Sequence, residues 1–272
     1  MNGIGLALGG GGVKGFFHIG VLRVLEAEKI PIAAICGTSM GAIIGGLYCV
    51  DPDIRKLEDM LFGLMKRWEI KQLSQPAKNI LPFDLKKYWT LRKMERRLKI
   101  TLPSCDISQT KIPFAVIASD IGKGEKVVIK DGPIRDAIIA SANIPGVLPP
   151  FRVGDKYLVD GGIYDNVPVF DTRGLGAKKV LAVHVTSDVH FSQPPKTRLE
   201  VILRGFLCML GSASRGSSSE ADLLLKPNLD MIPYADFGYA SLCADMGEAA
   251  AKENLKKIKD LAGSAGFPFW KK

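Results

Sequence analysis

Cysteine and histidine are both scarce in this chain of 272 residues. The five cysteines are odd in number and include no Cys-x-x-Cys pair, which excludes a dense disulfide framework and argues against a structural zinc site. Free cysteines without such a pattern are typical of a reducing compartment. Only three histidines are present, at positions 18, 184 and 190. Any active site therefore has few histidines to draw on.

A long uninterrupted apolar segment is also missing. Residues 30–50 are strongly apolar, but Pro31 and several glycines interrupt them, so we do not expect them to span a membrane. The N-terminus lacks a basic region followed by a long apolar run, and we expect no signal peptide. With 47% hydrophobic and 24% charged residues, the composition is that of a globular protein. We predict a single cytoplasmic domain over residues 1–272.

The net charge of +9 is concentrated in one segment. Residues 66–100 hold eleven lysines and arginines against three acidic residues, a local balance of +8. Trp68 and Trp89 lie in the same segment, and basic residues beside tryptophan suit an anionic membrane surface on the inner side of the cell membrane. The alternative is a solvated helical face. We assign the segment to a basic helical insertion at about 53–110, and we expect no nucleic-acid partner.

Short apolar runs alternate with helical stretches along the rest of the chain, which predicts an α/β fold. Gly122 and Gly124 indicate a hairpin between two strands, so the central sheet of a three-layer α/β/α sandwich should be mostly parallel but mixed. Strands are predicted at Ile4–Leu8, Ile32–Cys36, Phe114–Ala118, Lys126–Ile129, Tyr157–Val159, Val180–Val185 and Asp222–Leu225.

Two predictions concern the C-terminal third. A helix near Leu199–Leu210 is expected to end in a serine-rich loop over Gly211–Ser219. One final helix is expected over about Tyr239–Leu261, with its apolar face formed by Leu242, Met246, Ala249 and Ala250.

The most informative motif is Gly37-Thr38-Ser39-Met40-Gly41, which lies between a short apolar run and an apolar helical stretch. This is the sequence form of a nucleophile elbow, a serine on a tight strand-to-helix turn. Glycine is needed on both sides because a Cβ atom there would collide with neighbouring backbone. The motif makes Ser39 a candidate nucleophile.

A glycine-rich turn links the first predicted strand to the first helix. Gly10, Gly12 and Gly15 match the dinucleotide-binding fingerprint, but that fingerprint needs an acidic residue after the second strand, where this chain carries the serine turn. The backbone N–H groups of such a turn also suit an oxyanion, and Gly11 and Gly12 are our candidate donors. Lys14 either adds positive charge nearby or is a surface lysine at a helix start.

Asp160 ends a predicted strand and is followed by Gly161 and Gly162, two residues small enough to let it approach another loop closely. A serine hydroxyl needs a group that takes its proton before it becomes a good nucleophile. We predict that Asp160 contacts Ser39 directly and that partial burial raises its pKa towards the working pH.

Histidine is the alternative base. His18 lies inside a helix and His184 inside an apolar strand, and we interpret both as structural. His190 lies in a loop and follows Ser39 and Asp160, the chain order of an α/β-hydrolase triad. A triad that includes His190 therefore stays open.

The three motifs and their spacing resemble the patatin-like phospholipase family. A glycine-rich loop is followed about 25 residues later by Gly-x-Ser-x-Gly, and more than 100 residues later by Asp-Gly-Gly. The similarity extends to the stretch Ser141–Gly146 with Pro149-Pro150, and to residues 160–168. It covers roughly residues 3–50 and 112–186.

The resemblance implies an acyl hydrolase with a Ser–Asp dyad, in which Ser39 is the nucleophile and Asp160 the base. It implies no metal and no cofactor, and a lipid or fatty-acyl ester as the substrate. The oxyanion hole would be Gly10, Gly11 and Gly12, and the supporting motif positions are Lys14, Gly15, Gly37, Gly41, Gly161 and Gly162. Two other functions stay open: a small-ester or thioester hydrolase with a Ser–Asp–His triad, and a membrane-associated regulatory protein with little turnover. The sequence leaves the oligomeric state undetermined.

Overall fold

A computed structural model describes residues 2–72, 100–186 and 194–265 of the chain. These residues form an eight-stranded sheet with the order β5-β6-β3-β2-β1-β7-β8, in which β4 pairs with β3. The strands are β1 (Ile4–Leu8), β2 (Ile32–Thr38), β3 (Phe114–Asp120), β4 (Glu125–Ile129), β5 (Phe151–Val153), β6 (Lys156–Asp160), β7 (Val180–Val183) and β8 (Leu223–Leu225). Strands β3, β2, β1, β7 and β8 are parallel to one another. Strands β4, β5 and β6 pair antiparallel with their neighbours.

Helices cover both faces of the sheet. They are α1 (Phe17–Ala27), α2 (Met40–Val50), α3 (Ile54–Gln72), α4 (Ile134–Ser141), α5 (Val169–Gly174), α6 (Arg198–Ser218), α7 (Ala240–Glu253) and α8 (Leu255–Ser264). Leu6 and Leu8 of β1 point into the larger core with α1, α2 and α4, while Ala7 faces the opposite layer beside Val169 of α5. Alternation of side chains along a strand produces these two faces. The predicted three-layer α/β/α fold with a mixed sheet is confirmed.

The predicted basic insertion is described only in part. Its first helix is α3, whereas residues 73–99 lie outside the described residues. Within the described part of the chain, no helix is both long enough and apolar enough to cross a membrane.

The prediction of a serine-rich loop over Gly211–Ser219 is wrong, because α6 continues to Ser218. Its buried serines find hydrogen-bond acceptors both within the helix and outside it. The hydroxyl of Ser214 donates to the carbonyl oxygen of Leu210 one turn earlier, and that of Ser217 donates to the carbonyl oxygen of Val167, both at 2.6 Å. Satisfied hydroxyls no longer compete with the helical backbone.

The final helix is also different from the prediction. It is divided at Asn254 into α7 and α8, and Leu242, expected on the apolar face, is 49% exposed. The buried face consists of small residues because α1 crosses it closely. A Cβ atom added to Gly20 would lie 1.9 Å from the carbonyl oxygen of Ala244, and one added to Gly247 would lie 2.0 Å from that of Phe17. Larger apolar side chains are therefore turned away from this contact.

Candidate active site

Ser39 lies at the turn between β2 and α2 in a strained backbone conformation, with φ 54° and ψ −118°. Positive φ is costly for a residue with a side chain and is often found at functional sites. A Cβ atom added to Gly37 would lie 2.5 Å from the carbonyl oxygen of Gly41, and one added to Gly41 would lie 2.0 Å from that of Leu8. The two glycines are therefore required by the close packing of the turn.

The sheet brings Asp160 to this turn, although 121 positions separate the two residues. Residues of β3 from Val116 onward pair with β4 along one edge. The opposite edge of β3 pairs first with β2, which ends with Thr38 opposite Ile117, and then with β6, which places Asp160 opposite Ala118. The end of β2 and the end of β6 therefore meet at consecutive positions of one strand.

Asp160 is 1% exposed, and its carboxylate has few partners. Its Oδ1 accepts a hydrogen bond from the N–H of Gly162 at 2.9 Å. Burial raises the pKa of the carboxyl to about 6, while hydrogen bonds from the Ser39 hydroxyl and from Gly162 act in the opposite direction. A Cβ atom added to Gly161 would lie 2.2 Å from the carbonyl oxygen of Ile117, so this turn also depends on glycine.

The glycine loop lies against the same turn. A Cβ atom added to Gly10 would lie 2.9 Å from Cβ of Ser39, and one added to Gly15 would lie 2.4 Å from Cγ of Met40. The N–H of Gly10 is occupied, since it points at Oδ1 and the carbonyl oxygen of Asn166 at 3.1 and 3.3 Å. Within the described residues, the N–H groups of Gly11 and Gly12 make no hydrogen bond. The glycine loop therefore keeps two backbone donors that no other group in the described part of the chain engages.

Asn166 is the main site residue that sequence reasoning missed. It is fully buried, and its Nδ2 lies 2.7 Å from Oγ1 of Thr186, 2.8 Å from Oγ of Ser214 and 3.3 Å from the carbonyl oxygen of Gly10. The Thr186 hydroxyl donates to the same Gly10 carbonyl at 2.9 Å. The backbone of Gly10 is therefore held at both its N–H and its C=O. No spacing in the sequence marks Asn166 as a partner of a loop 156 positions away.

The stretch before β5 contributes two further contacts. The N–H of Ser39 donates to the hydroxyl oxygen of Ser141 at 2.8 Å. The N–H of Asp160 donates to the carbonyl oxygen of Asn143 at 3.0 Å. One short segment therefore holds the backbone of both candidate catalytic residues.

Lys14 and His18 lie behind the glycine loop. The interpretation of Lys14 as a surface lysine is wrong: the residue is buried, with its Nζ 4.1 Å from the centre of the Tyr234 ring. Burial lowers its pKa to about 8, and the charge of Asp230 acts against that shift. Nε2 of His18 lies 2.7 Å from the carbonyl oxygen of Gly9, and burial lowers the pKa of this histidine to about 4. A neutral His18 therefore supports the loop from inside.

Two further expectations concern histidine and metal. His184 is buried beyond β7, whereas His190 lies outside the described residues. Among the residues that the structure describes, no group of three or more histidine, cysteine, aspartate or glutamate side chains is placed to hold a metal ion.

Comparison with known proteins places this arrangement in a family. A family model described as patatin-like phospholipase matches residues 6–172, which is more than half of the chain. The chain belongs to the patatin-like phospholipase family. The matched residues include the glycine loop, the Ser39 turn and the Asp160 turn of this patatin-like domain, so the resemblance inferred from the three motifs is confirmed.

Named relatives are considerably longer than this patatin-like chain. The lysophospholipase NTE1 of Debaryomyces hansenii is 34% identical over 186 residues, which are 68% of this chain and 12% of that protein. An uncharacterized NTE family protein of Mycobacterium bovis is 32% identical over 182 residues, 66% of this chain and 48% of that protein. Among solved structures, VipD from Legionella pneumophila is 12% identical with a TM-score of 0.47, covering 99% of this chain and 82% of that one.

Proposed function

We propose that this patatin-like protein is a serine acyl hydrolase that cleaves fatty-acyl ester bonds of lipids through Ser39 and Asp160. The observation that carries the proposal is that the ends of β2 and β6 meet on β3, which places the Ser39 turn next to a buried carboxyl whose pKa is raised to about 6. Such a carboxylate is ionised at neutral pH and is still more basic than an exposed aspartate. It can therefore take the serine proton without a histidine.

The reaction proceeds in two steps. In the first, Ser39 Oγ attacks the acyl carbonyl carbon while its proton moves to Asp160, and the tetrahedral intermediate then expels the alcohol, which takes the proton from Asp160. In the second, Asp160 takes a proton from water, the water oxygen attacks the acyl-enzyme, and the bond to Ser39 Oγ breaks. The fatty acid leaves and the serine regains its proton.

The N–H groups of Gly11 and Gly12 are the proposed donors to the oxyanion of both intermediates. Their availability supports this role, because an oxyanion needs donors that are already oriented and not otherwise engaged. The sequence-based assignment of Gly10 as a third donor has less support, since Asn166 occupies its N–H. Gly10 instead fixes the direction of the loop.

A lysophospholipid or a related lipid ester is the proposed substrate class. Support comes from the family model and from relatives whose printed name is lysophospholipase. The present chain covers 12% and 19% of two such proteins.

The decisive experiment maps the adduct of a fluorophosphonate ester by mass spectrometry. Wild-type protein should carry one adduct on Ser39, and Ser39→Ala should carry none while it keeps the wild-type circular dichroism spectrum. In parallel, Ser39→Ala and Asp160→Asn should lose hydrolysis of lysophosphatidylcholine. An unlabelled Ser39 in folded protein would reject the proposed nucleophile.

His190→Ala separates the dyad from the triad. The dyad predicts that this variant keeps wild-type turnover. Equal inactivity of His190→Ala and Asp160→Asn would replace the dyad with the triad.

We further propose that residues 66–100 contact an anionic membrane. The support comes from the sequence, in which this segment has a local charge of +8. Residues 73–99 lie outside the described part of the chain. Replacing Lys86, Lys87, Arg92 and Arg96 by glutamate should weaken binding to vesicles that contain phosphatidylglycerol. Unchanged binding would refute the role of this segment.

A further inference from the structure

Helix α6 carries apolar side chains on two faces of its N-terminal half, since Phe206 and Leu210 are buried while other aliphatic side chains are exposed. Ser214, Ser217 and Ser218 are buried, whereas Val201 is 54%, Ile202 48% and Met209 43% exposed. Surface helices normally turn aliphatic side chains inward and hydroxyls outward. The exposed residues lie on one face, and Gly205 and Cys208 on the same face add no charge to it. An aliphatic face on the outside indicates a surface that binds something.

Helix α6 borders the candidate active site through its buried face, and its outward face approaches the site at Ile202. Successive turns of α6, taken towards its N-terminus, contact successive parts of the site. Ser214 is hydrogen-bonded to Asn166, and Leu210 Cδ2 lies 2.0 Å from the position of a Cβ atom on Gly162. Ile202 Cγ2 lies 2.8 Å from the corresponding position on Gly146.

The loop around Gly146 extends the aliphatic surface. The same segment supplies the Asn143 carbonyl that accepts the Asp160 N–H, and it continues to Pro149 and Pro150, both exposed. The first three turns of α6 and this proline-containing loop therefore form one apolar rim at the site.

Charges at the edge of the rim are mostly positive. Lys196 and Arg198 are exposed at the start of α6, and Arg215 is exposed near its end. Glu200, the acidic residue on the helix, is paired with Arg204 one turn later. Aliphatic residues between cationic ends match an anionic lipid surface, where the cations meet headgroups and the aliphatic side chains enter the interface.

We propose that the outward face of α6, formed by Val201, Ile202, Gly205, Cys208 and Met209, docks on an anionic lipid bilayer and presents the Ser39 site to lipid substrates. The lipid role rests on the proposed function, but docking does not require turnover. It involves other residues than the basic segment at 66–100 and is tested by other variants.

The test is made in the Ser39→Ala variant, so that hydrolysis plays no part in binding. Vesicles of phosphatidylcholine with phosphatidylglycerol are compared with phosphatidylcholine alone by co-sedimentation. Val201→Asp together with Met209→Asp should weaken binding to the anionic vesicles at least about tenfold, since two aliphatic side chains no longer enter the interface. Leu242→Asp, a matched change on α7 across the sheet, should leave binding unchanged. Thermal melts establish that each variant is folded.

A positional readout identifies the docking face directly. With Cys105 replaced by serine, an environment-sensitive maleimide dye is attached to Cys208, while Cys36, Cys49 and Cys243 are buried. Its emission should shift to the blue when anionic vesicles are added. An unshifted dye on vesicle-bound protein, full binding by the double variant, or no vesicle binding at all would overturn the proposal. Dimer formation through α6 without vesicle binding would instead assign the face to a second copy of the chain.

These results are separable from the proposed function. If Ser39 carries no adduct, the proposed hydrolase is rejected, but the result of the vesicle-binding experiment still stands. Failure of vesicle docking in a protein that carries the adduct would reject only the role of α6.

Discussion

Replacing Asp160 by asparagine should stabilise the folded protein at neutral pH, although it should abolish turnover. Burial raises the pKa of this carboxyl from 3.8 to about 6. The folded state therefore binds the proton more tightly than the unfolded state, and folding becomes less favourable as the pH rises from about 4 to about 6. A shift of about two pH units corresponds to about 3 kcal/mol, which is the full destabilisation above the folded-state pKa.

Asparagine removes this charge but keeps the shape of the side chain. Its Oδ1 can accept the Gly162 N–H, and its Nδ2 can donate to the Ser39 hydroxyl. The free energy of unfolding of Asp160→Asn should exceed that of the wild type by up to about 3 kcal/mol near pH 8, and by less than about 1 kcal/mol near pH 4. Urea titrations followed by circular dichroism at several pH values measure this difference.

Comparison of the two proteins at each pH removes other titrating groups from the result. Buried His18, whose pKa is lowered to about 4, opposes Asp160 over part of the same range, but it contributes equally to both proteins. Asp131→Asn, a change at an exposed carboxylate, should alter the free energy of unfolding by less than about 0.5 kcal/mol. A difference between Asp160→Asn and wild type that does not change with pH would refute the argument from burial.

Two predictions concern backbone contacts of the site and of the core. Asn166→Asp keeps an acceptor of the same shape but loses the N–H donors to Thr186 and Gly10. The kcat for lysophospholipid should therefore fall at least about tenfold, with little change in KM. A wild-type kcat would show that the backbone of Gly10 needs no such support. Gly20→Ala places a Cβ atom 1.9 Å from the backbone of α7 and should lower the free energy of unfolding, measured in urea, by about 2 kcal/mol or more. The control Gly263→Ala, where an added Cβ meets nothing within 4 Å, should be neutral or slightly stabilising. Equal effects of the two substitutions would disprove the close crossing of α1 and α7.

The sequence was most informative where one residue type is required by local geometry. The glycines of the Ser39 turn could be identified because a tight strand-to-helix turn admits no Cβ atom, and the structure shows such contacts at Gly37 and Gly41. The alternation of buried strands and helices likewise predicted the layers, since apolar runs of strand length report burial directly. The hairpin at Gly122 and Gly124 predicted the mixed sheet.

Long-range contacts explain what the sequence could not predict. The serines of α6 favour a loop by local propensity, but their hydroxyls bind carbonyl oxygens at Leu210 and Val167. The small residues of α7 do not form a conspicuous apolar stripe, yet they are buried because α1 approaches to backbone contact. Asn166 acts through partners near both ends of the domain. Each outcome depends on a neighbour that is distant in the chain.

The topology also supports the proposed contact between Asp160 and Ser39 without a histidine between them. If β6 ran parallel to β3, its first residue rather than its last would lie next to the end of β2. Here β6 runs antiparallel, and its last residue stands opposite Ala118, next to the partner of Thr38. A shift of β6 by one residue would turn the Asp160 side chain to the other face of the sheet. The proposed dyad therefore depends on strand register, which Gly161 fixes by packing against the carbonyl of Ile117.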